Sequence, residues 1–322
     1  MVVQICANIC IIPISCYLSR MKVSAFSYVR NGLELGYPFL EAIRSVLPLC
    51  DEVIVVIGDS RDGTREAVEQ LNDSRVKIVD TIWDDSMRQG GLIFSQQSNI
   101  GMDHCSADAD WLFHIQADEV VHEEDVPKIR AAMEQYLNQP KVEGLLFRFL
   151  NFYGNYQYYA PSRRYHQHEI RIIRNDKQIR SYRDSQGFRR FDDPSKANEA
   201  KGEKLHVKEI DARIFHYSYV KPPAVQKLKQ LEFGKRYYPD DQYDVKVYEA
   251  KHGDGFNYHE YDYLRLFKST HPALMQPHIQ ACDWQFSYDP SKNNMTPKEK
   301  LMKLLEELTG KQFFIYKNYK RI

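Results

Sequence analysis

The run EVIVVI at residues 52–57 constrains the fold more than any other stretch of the chain. After its first residue it is apolar without alternation, so a strand built from it has no face to offer water and needs a covering layer on each side. The flanking segments supply such layers. Residues 22–29 (KVSAFSYV), 75–81 and 111–115 read as further strands. Residues 35–47, with Leu40, Ile43 and Leu47 at helical spacing, and residues 65–71 and 91–105 read as helices. Strand and helix alternate four times, which predicts a doubly wound α/β sheet with right-handed crossovers. Ligands of such sheets sit at the carboxyl ends of the strands, here residues 28–31, 58–62 and 116–119.

Composition narrows the classes of function. Lys and Arg total 44 and Asp and Glu total 44, so the chain lacks the basic excess of a general nucleic-acid binder. With 43 % hydrophobic residues, 15 Gly and 14 Pro among 322 residues, it is neither disordered nor fibrous. Three of the six cysteines crowd at positions 6, 10 and 16 and the others stand far apart, so there is no disulfide framework and a reduced, cytoplasmic setting is expected. Residues 1–20 are apolar but interrupted by Gln4, Asn8, Pro13 and Ser15, without the basic start of a secretory signal. They read either as a weak membrane-associating leader or as an extension upstream of a start at Met21, the second being preferred. Residues 21–220 are read as the core and 221–322 as a helical elaboration packed on it. Fifteen of the 22 tyrosines lie between 151 and 263, where the pattern turns irregular apart from helices at 223–237 and 297–308.

Three groups of residues could carry chemistry. The predicted strand WLFHIQADE ends in Asp118 and Glu119, and residues 103–125 hold eight acidic residues with no Lys or Arg between Gln89 and Pro127. Hard divalent cations take carboxylate oxygens, so Asp118 is a candidate metal ligand, with a helix-capping acidic loop as the plain alternative. The turn GDSRDGT at 58–64 is not a phosphate loop, because no Gly-Lys-Ser/Thr follows, and Gly63 reads as a turn residue. Residues 163–190 hold nine Lys or Arg against three acids, with Arg171 and Arg174 on a predicted strand at 168–174 and able to clamp an anion. The aromatic stretch 151–159 has the rings of a sugar site, though core packing accounts for about half of them. His166, His168 and Glu169 lack the further ligands of a zinc hydrolase.

The succession KVSAFSYVRNG, DEVIVVIGDSRDGT and WLFHIQADEVVHEED resembles the family-2 glycosyltransferases of GT-A fold over residues 22–130. The resemblance implies a nucleotide-sugar-binding sheet and an inverting transfer of a sugar, in the hexosyltransferase class, from a nucleotide-diphosphate donor to a hydroxyl acceptor. It further implies a divalent cation, Mn2+ or Mg2+, on the diphosphate. By that resemblance Ser27, Tyr28, Arg30, Asn31, Asp59, Asp62, Gln116, Arg171 and Arg174 are candidate donor-binding residues, and Asp118 and His216 candidate metal ligands. Asp184 and Glu169 are the candidate bases. Two positions depart from the family pattern: Ile57 stands where an Asp is usual, and Gln116 replaces the first Asp of the D-x-D motif. The expected partners are a nucleotide sugar and a glycan or lipid-linked acceptor of a cell-envelope polysaccharide, with the inner face of a membrane as a candidate station. A non-catalytic sugar-binding protein and a nucleotidyltransferase are the rival readings, the latter poorly served by Tyr28-Val-Arg-Asn-Gly32 in place of a Gly-rich basic loop.

Overall fold

The computed structural model describes residues 20–87, 90–199, 201–238, 246, 248, 249, 256–258, 261–310 and 315–322. Of the leader at 1–20, residues 1–19 lie outside the described residues. Strands β1 (Val23–Val29), β2 (Glu52–Ile57), β3 (Val76–Asp80) and β4 (Trp111–His114) are parallel in the order β3-β2-β1-β4. In β2, Val53, Val55 and Ile57 pack toward one core, while Ile54 and Val56 pack toward a second on the opposite face. Helices α1 (Phe39–Val46) and α4 (Val126–Tyr136) contribute Phe39, Ile43, Val46, Ile129 and Met133 to the first core; α3 (Leu92–His104) contributes Met102 to the second. The unalternating apolar run is therefore covered on both sides.

The expected helix at 35–47 starts only at Phe39, because Pro38 has no N–H to continue a helix and pushes Tyr37 out of helical geometry. Between β2 and α2 (Thr64–Glu69), Gly63 takes φ +85°, a left-handed conformation that few other residues adopt cheaply. Asp62 accepts from the Thr64 N–H (3.1 Å), the Thr64 hydroxyl (2.6 Å) and the Glu34 N–H (2.8 Å), which fixes this turn.

The second half extends the same sheet. Strand β8 (His168–Arg174) pairs antiparallel with β4 and with β6 (Gly144–Tyr153). The 14-residue β12 (His206–Tyr219) runs parallel to β6 and antiparallel to the short β5 (Glu119–Val121), and His216 stands near its end. Helix α5 (Pro223–Tyr237) follows it across the carboxyl ends of β1 and β4. No helix among the described residues is long and apolar enough to cross a membrane.

Candidate functional site

A cavity of about 230 Å3 opens at the carboxyl ends of the parallel strands. Tyr28, Arg30 and Asn31 enter it from the end of β1, and Gln116 and Asp118 from the end of β4. Asp184 and His216 reach it from the second half, and α5 closes it with Phe233, Arg236 and Tyr237. Tyr28 is positioned by a stack of rings: Phe26 lies on His114 at 4.9 Å, and His114 on Tyr28 at 6.1 Å. Asn31, Arg183 and Ser185 hold left-handed φ angles of 51°, 55° and 62° without being glycines. Such conformations persist where the surroundings enforce them, and two of the three flank Asp184.

The chain of contacts behind His216 fixes its tautomer. The Asn151 side-chain amide donates to the His166 carbonyl (2.8 Å), which can only accept. Its oxygen therefore faces His216 Nδ1 at 2.8 Å and accepts a hydrogen bond from the Nδ1–H. That leaves Nε2 turned toward Asp118 Oδ1 at 3.6 Å, too far for a hydrogen bond. With Nδ1 engaged by Asn151, the Nε2 lone pair faces the Asp118 carboxylate, an arrangement that a cation between the two would satisfy. Metal-binding histidines are typically oriented by an outer partner in this manner, so the pair fits one end of a divalent-cation site. Among the described residues no group of three or more His, Cys, Asp or Glu gathers to complete such a site from protein alone.

The other Asp118 oxygen faces the Lys229 ammonium at 3.5 Å, and Lys229 also donates to the Ser218 carbonyl (3.0 Å) and hydroxyl (2.5 Å). Burial works to raise the Asp118 carboxyl, but His216, Lys229 and Lys221 outweigh it and hold the group well below the usual carboxylate range. Burial lowers the proton affinity of Lys229, with Asp118 opposing. Asp118 is thus a carboxylate anion locked in one orientation.

Asp184 accepts from the Tyr237 hydroxyl (3.1 Å) and the Gln186 amide (3.1 Å). Gly91, at φ +70°, leaves room for it, since a Cβ there would come within 2.8 Å of the Asp184 Cβ. Gln186 also borders a second cleft of about 1100 Å3 between β6, β8 and the C-terminal segment. Glu169 lies in that second cleft, with His166 Nδ1 at 3.1 Å; burial, opposed by Arg171 and reinforced by Glu119 and Asp184, pushes it up to about 8.

Besides Glu169, five of the candidate donor-binding residues lie outside the first cavity's lining. Ser27 is buried within β1. Asp59 stands behind Arg30, bound to it at 2.8 Å, and Asp62 is occupied by the turn. Arg171 grips Glu119 through two bonds of 2.8 and 2.5 Å in a fully buried pair. Arg174 lies over the Trp111 ring and donates to the carbonyls of Leu137 and Val142 near the end of α4. Sequence reasoning missed Lys229, Trp83 and Arg236. Lys229 falls between Val225 and Phe233 at four-residue spacing, a sign of a lysine on an inward helix face. Arg30 and Arg236 both lie over Trp83 at 5.5 Å, just past the end of β3.

A parallel α/β sheet with a carboxylate-bearing cavity at its strand ends defines a ligand-binding protein of the doubly wound class. The chain belongs to glycosyl transferase family 2, whose sequence model matches residues 38–200, and its mixed sheet is the GT-A glycosyltransferase fold. No curated protein matches the chain. Among solved structures it is similar to Staphylococcus aureus TarS in complex with UDP (19 % identity over 42 % of this chain and 37 % of that one, TM-score 0.33). It is also similar to the mannosyltransferase PcManGT of Pyrobaculum calidifontis in complex with GDP-Man and Mn2+ (21 % identity, 42 % and 37 % covered, TM-score 0.31). A third is glucosyl-3-phosphoglycerate synthase of Mycobacterium tuberculosis in complex with Mn2+, UDP and phosphoglyceric acid (20 %, 42 % and 44 %, TM-score 0.28). The chain thus spans well under half the length of these proteins.

Proposed function

We propose that the protein is an inverting glycosyltransferase that moves a sugar from a nucleotide-diphosphate donor, held at the ends of β1 and β4, onto a glycan or lipid-linked hydroxyl acceptor entering from the larger cleft. The observation that carries this reading is the convergence of Asp118, His216 and Asp184 on one cavity within a family-2 glycosyltransferase chain. Gln116 takes the first position of the D-x-D motif, where its amide can hydrogen-bond a ribose, and Asp118 keeps the last. Asp118 and His216 would hold a divalent cation, which when bound supplies Lewis-acid charge to the leaving diphosphate. Arg30 and Arg236 border the same cavity, where Asp59 and Asp85 hold their guanidinium groups in place as candidate donors to the diphosphate.

Asp184 is the proposed base. It takes the proton of the acceptor hydroxyl while that oxygen bonds to the anomeric carbon; the bond from that carbon to the diphosphate oxygen breaks, and the diphosphate leaves with the electron pair. Glu169 holds its own proton up to about pH 8 and lines the other cleft, whereas Asp184 lines the cavity that Asp118 and His216 share. The two hydrogen bonds to Asp184 hold it toward the boundary between the cavities.

The test is a pair of variants read by calorimetry and by nucleotide release across a panel of nucleotide sugars with Mn2+. Asp184→Asn keeps nucleoside-diphosphate affinity and loses turnover by about 10²-fold or more, the range for a general base. Asp118→Asn loses the effect of metal on nucleotide binding. Unchanged turnover in Asp184→Asn removes it as the base, and no nucleotide release from any donor by the wild type makes the protein a binding module.

A further inference from the structure

The C-terminal helix Pro297–Thr309 is amphipathic, and it is mounted with the apolar face outward. Toward the body it turns Glu299, Met302, Lys303 and Glu306, all half-buried. Glu306 pairs with Arg163, and Lys303 lies over the Tyr263 ring at 4.4 Å. The opposite face carries Leu301, Leu304, Leu305 and Leu308, at the spacing of one helical stripe and 58 %, 51 %, 37 % and 74 % exposed. Among the described residues, six of the ten exposed large apolar side chains fall between Leu301 and Ile322, the other two being Tyr316 and Ile322. Scattered exposed leucines are ordinary, whereas a contiguous stripe marks a contact surface.

The helix has independent reasons to be there. Thr296 and Glu299 form a reciprocal capping box, and Gly310 ends the helix at φ +66°. The leucine stripe is therefore displayed by a well-defined helix anchored through its polar side.

We infer that this face docks the protein on an anionic bilayer surface, with the helix lying in the plane of the headgroups. The charges around it select that occupant. Lys298 and Lys300 flank the stripe and are exposed, while Glu299 and Glu306 face inward and the exposed Glu307 is paired with Lys303 and Arg265. Residues 308–322 hold four Lys or Arg and no Asp or Glu, and Lys317 and Lys320 are exposed on the tail that borders the same cleft as Glu306. A leucine face with basic edges inserts at a membrane interface, each basic group adding attraction to acidic lipid. A second copy fits less well, because a two-fold contact sets each patch against itself and brings the lysines together. The larger cleft is bordered by the same helix through Glu306 and Glu307. The inference rests on the helix geometry and charge and is independent of the proposed chemistry.

The test is co-sedimentation of the full chain with vesicles of phosphatidylcholine, with and without phosphatidylglycerol. The protein is expected to sediment with the acidic vesicles, to stay largely in solution with phosphatidylcholine alone, and to be released by high salt. Leu304→Glu/Leu308→Glu abolishes binding; Lys298→Glu/Lys300→Glu weakens it by about tenfold or more. All four positions are exposed, and unchanged circular dichroism and thermal midpoint report that the fold survives. Absence of sedimentation with acidic vesicles, or binding unaltered in both variants, overturns the inference. So does a dimer in light scattering that Leu304→Glu/Leu308→Glu converts to monomer, which assigns the face to a second copy. Vesicle binding by a chain that binds no nucleoside diphosphate leaves this inference standing and removes the proposed function; the reverse outcome does the opposite.

Discussion

At the scale of single residues the two clefts treat their carboxylates in opposite ways. Asp118 is buried among His216, Lys229 and Lys221 and stays ionised, whereas Glu169 is buried with a proton that it releases only near pH 8. The consequence for Glu169 has a definite sign. The unfolded chain ionises this carboxyl near about pH 4.3, so the folded state binds the proton more tightly. Its contribution to stability is complete below about pH 4.3 and is lost as the pH rises through about 8. Glu169→Gln, which cannot ionise, should therefore unfold at higher denaturant than the wild type above about pH 8, by a few kcal/mol at most. The advantage should shrink steadily toward acid. Parallel pH profiles in urea melts for the two proteins remove this account of Glu169. Nothing in its sequence neighbourhood separates Glu169 from Asp184, since both follow the sheet core near basic residues. The difference arises from the strand geometry that buries one and leaves the other on the cavity wall.

At the scale of elements, β5 and β8 are tied by the Glu119–Arg171 pair, neither partner reaching solvent. Glu119 also accepts the Gln116 N–H at 3.1 Å, so the pair sets the loop that carries Gln116 and Asp118. Arg171→Met strands a buried carboxylate and should cost about 3–5 kcal/mol in chemical denaturation. Arg171→Met with Glu119→Leu should recover most of that loss, because a buried pair replaced by apolar groups is close to neutral. A double variant as unstable as the single one shows that the loss comes from packing over the Phe149 ring, 4.9 Å from the Arg171 guanidinium. Helix α5 does for the opposite wall what this pair does for the loop. Its residues at four-residue spacing place Lys229 beneath Asp118 and Phe233 and Tyr237 over the cavity.

At the scale of the whole molecule, the chain's end is built into the sheet. Strand β14 (Lys320–Arg321) runs beside the start of β12, and the buried Asn318 accepts from Arg189 Nε at 2.8 Å and donates to the Gln186 carbonyl at 3.0 Å. Gln186 in turn holds Asp184. Removing residues 315–322 should lower stability by about 2 kcal/mol or more, from lost buried hydrogen bonds and the buried Tyr319 ring, and should also depress turnover. Thermal melts and nucleotide release on the truncated chain check both effects, and unchanged values in both leave the tail without a structural role. The parallel half of the fold was legible in the sequence because its signals are local. An unalternating β-branched run, a proline before a helix and glycine at a left-handed turn each act within a few residues of themselves. The same locality made Tyr28, Arg30, Asn31, Gln116 and Asp118 readable, since they sit at strand ends that the pattern fixes. Arg171 shows where local reading stops: a basic side chain on a strand looks the same whether it meets a ligand or a buried carboxylate 52 residues away. Lys229, 111 residues from Asp118, and the outward turn of the leucine helix depend likewise on which distant segment each face meets. The sequence by itself determined the elements of the parallel half and their order; the strands that extend the sheet in the second half, the pairing of charges across it, and the face each late helix shows to solvent were decided only when the chain closed on itself.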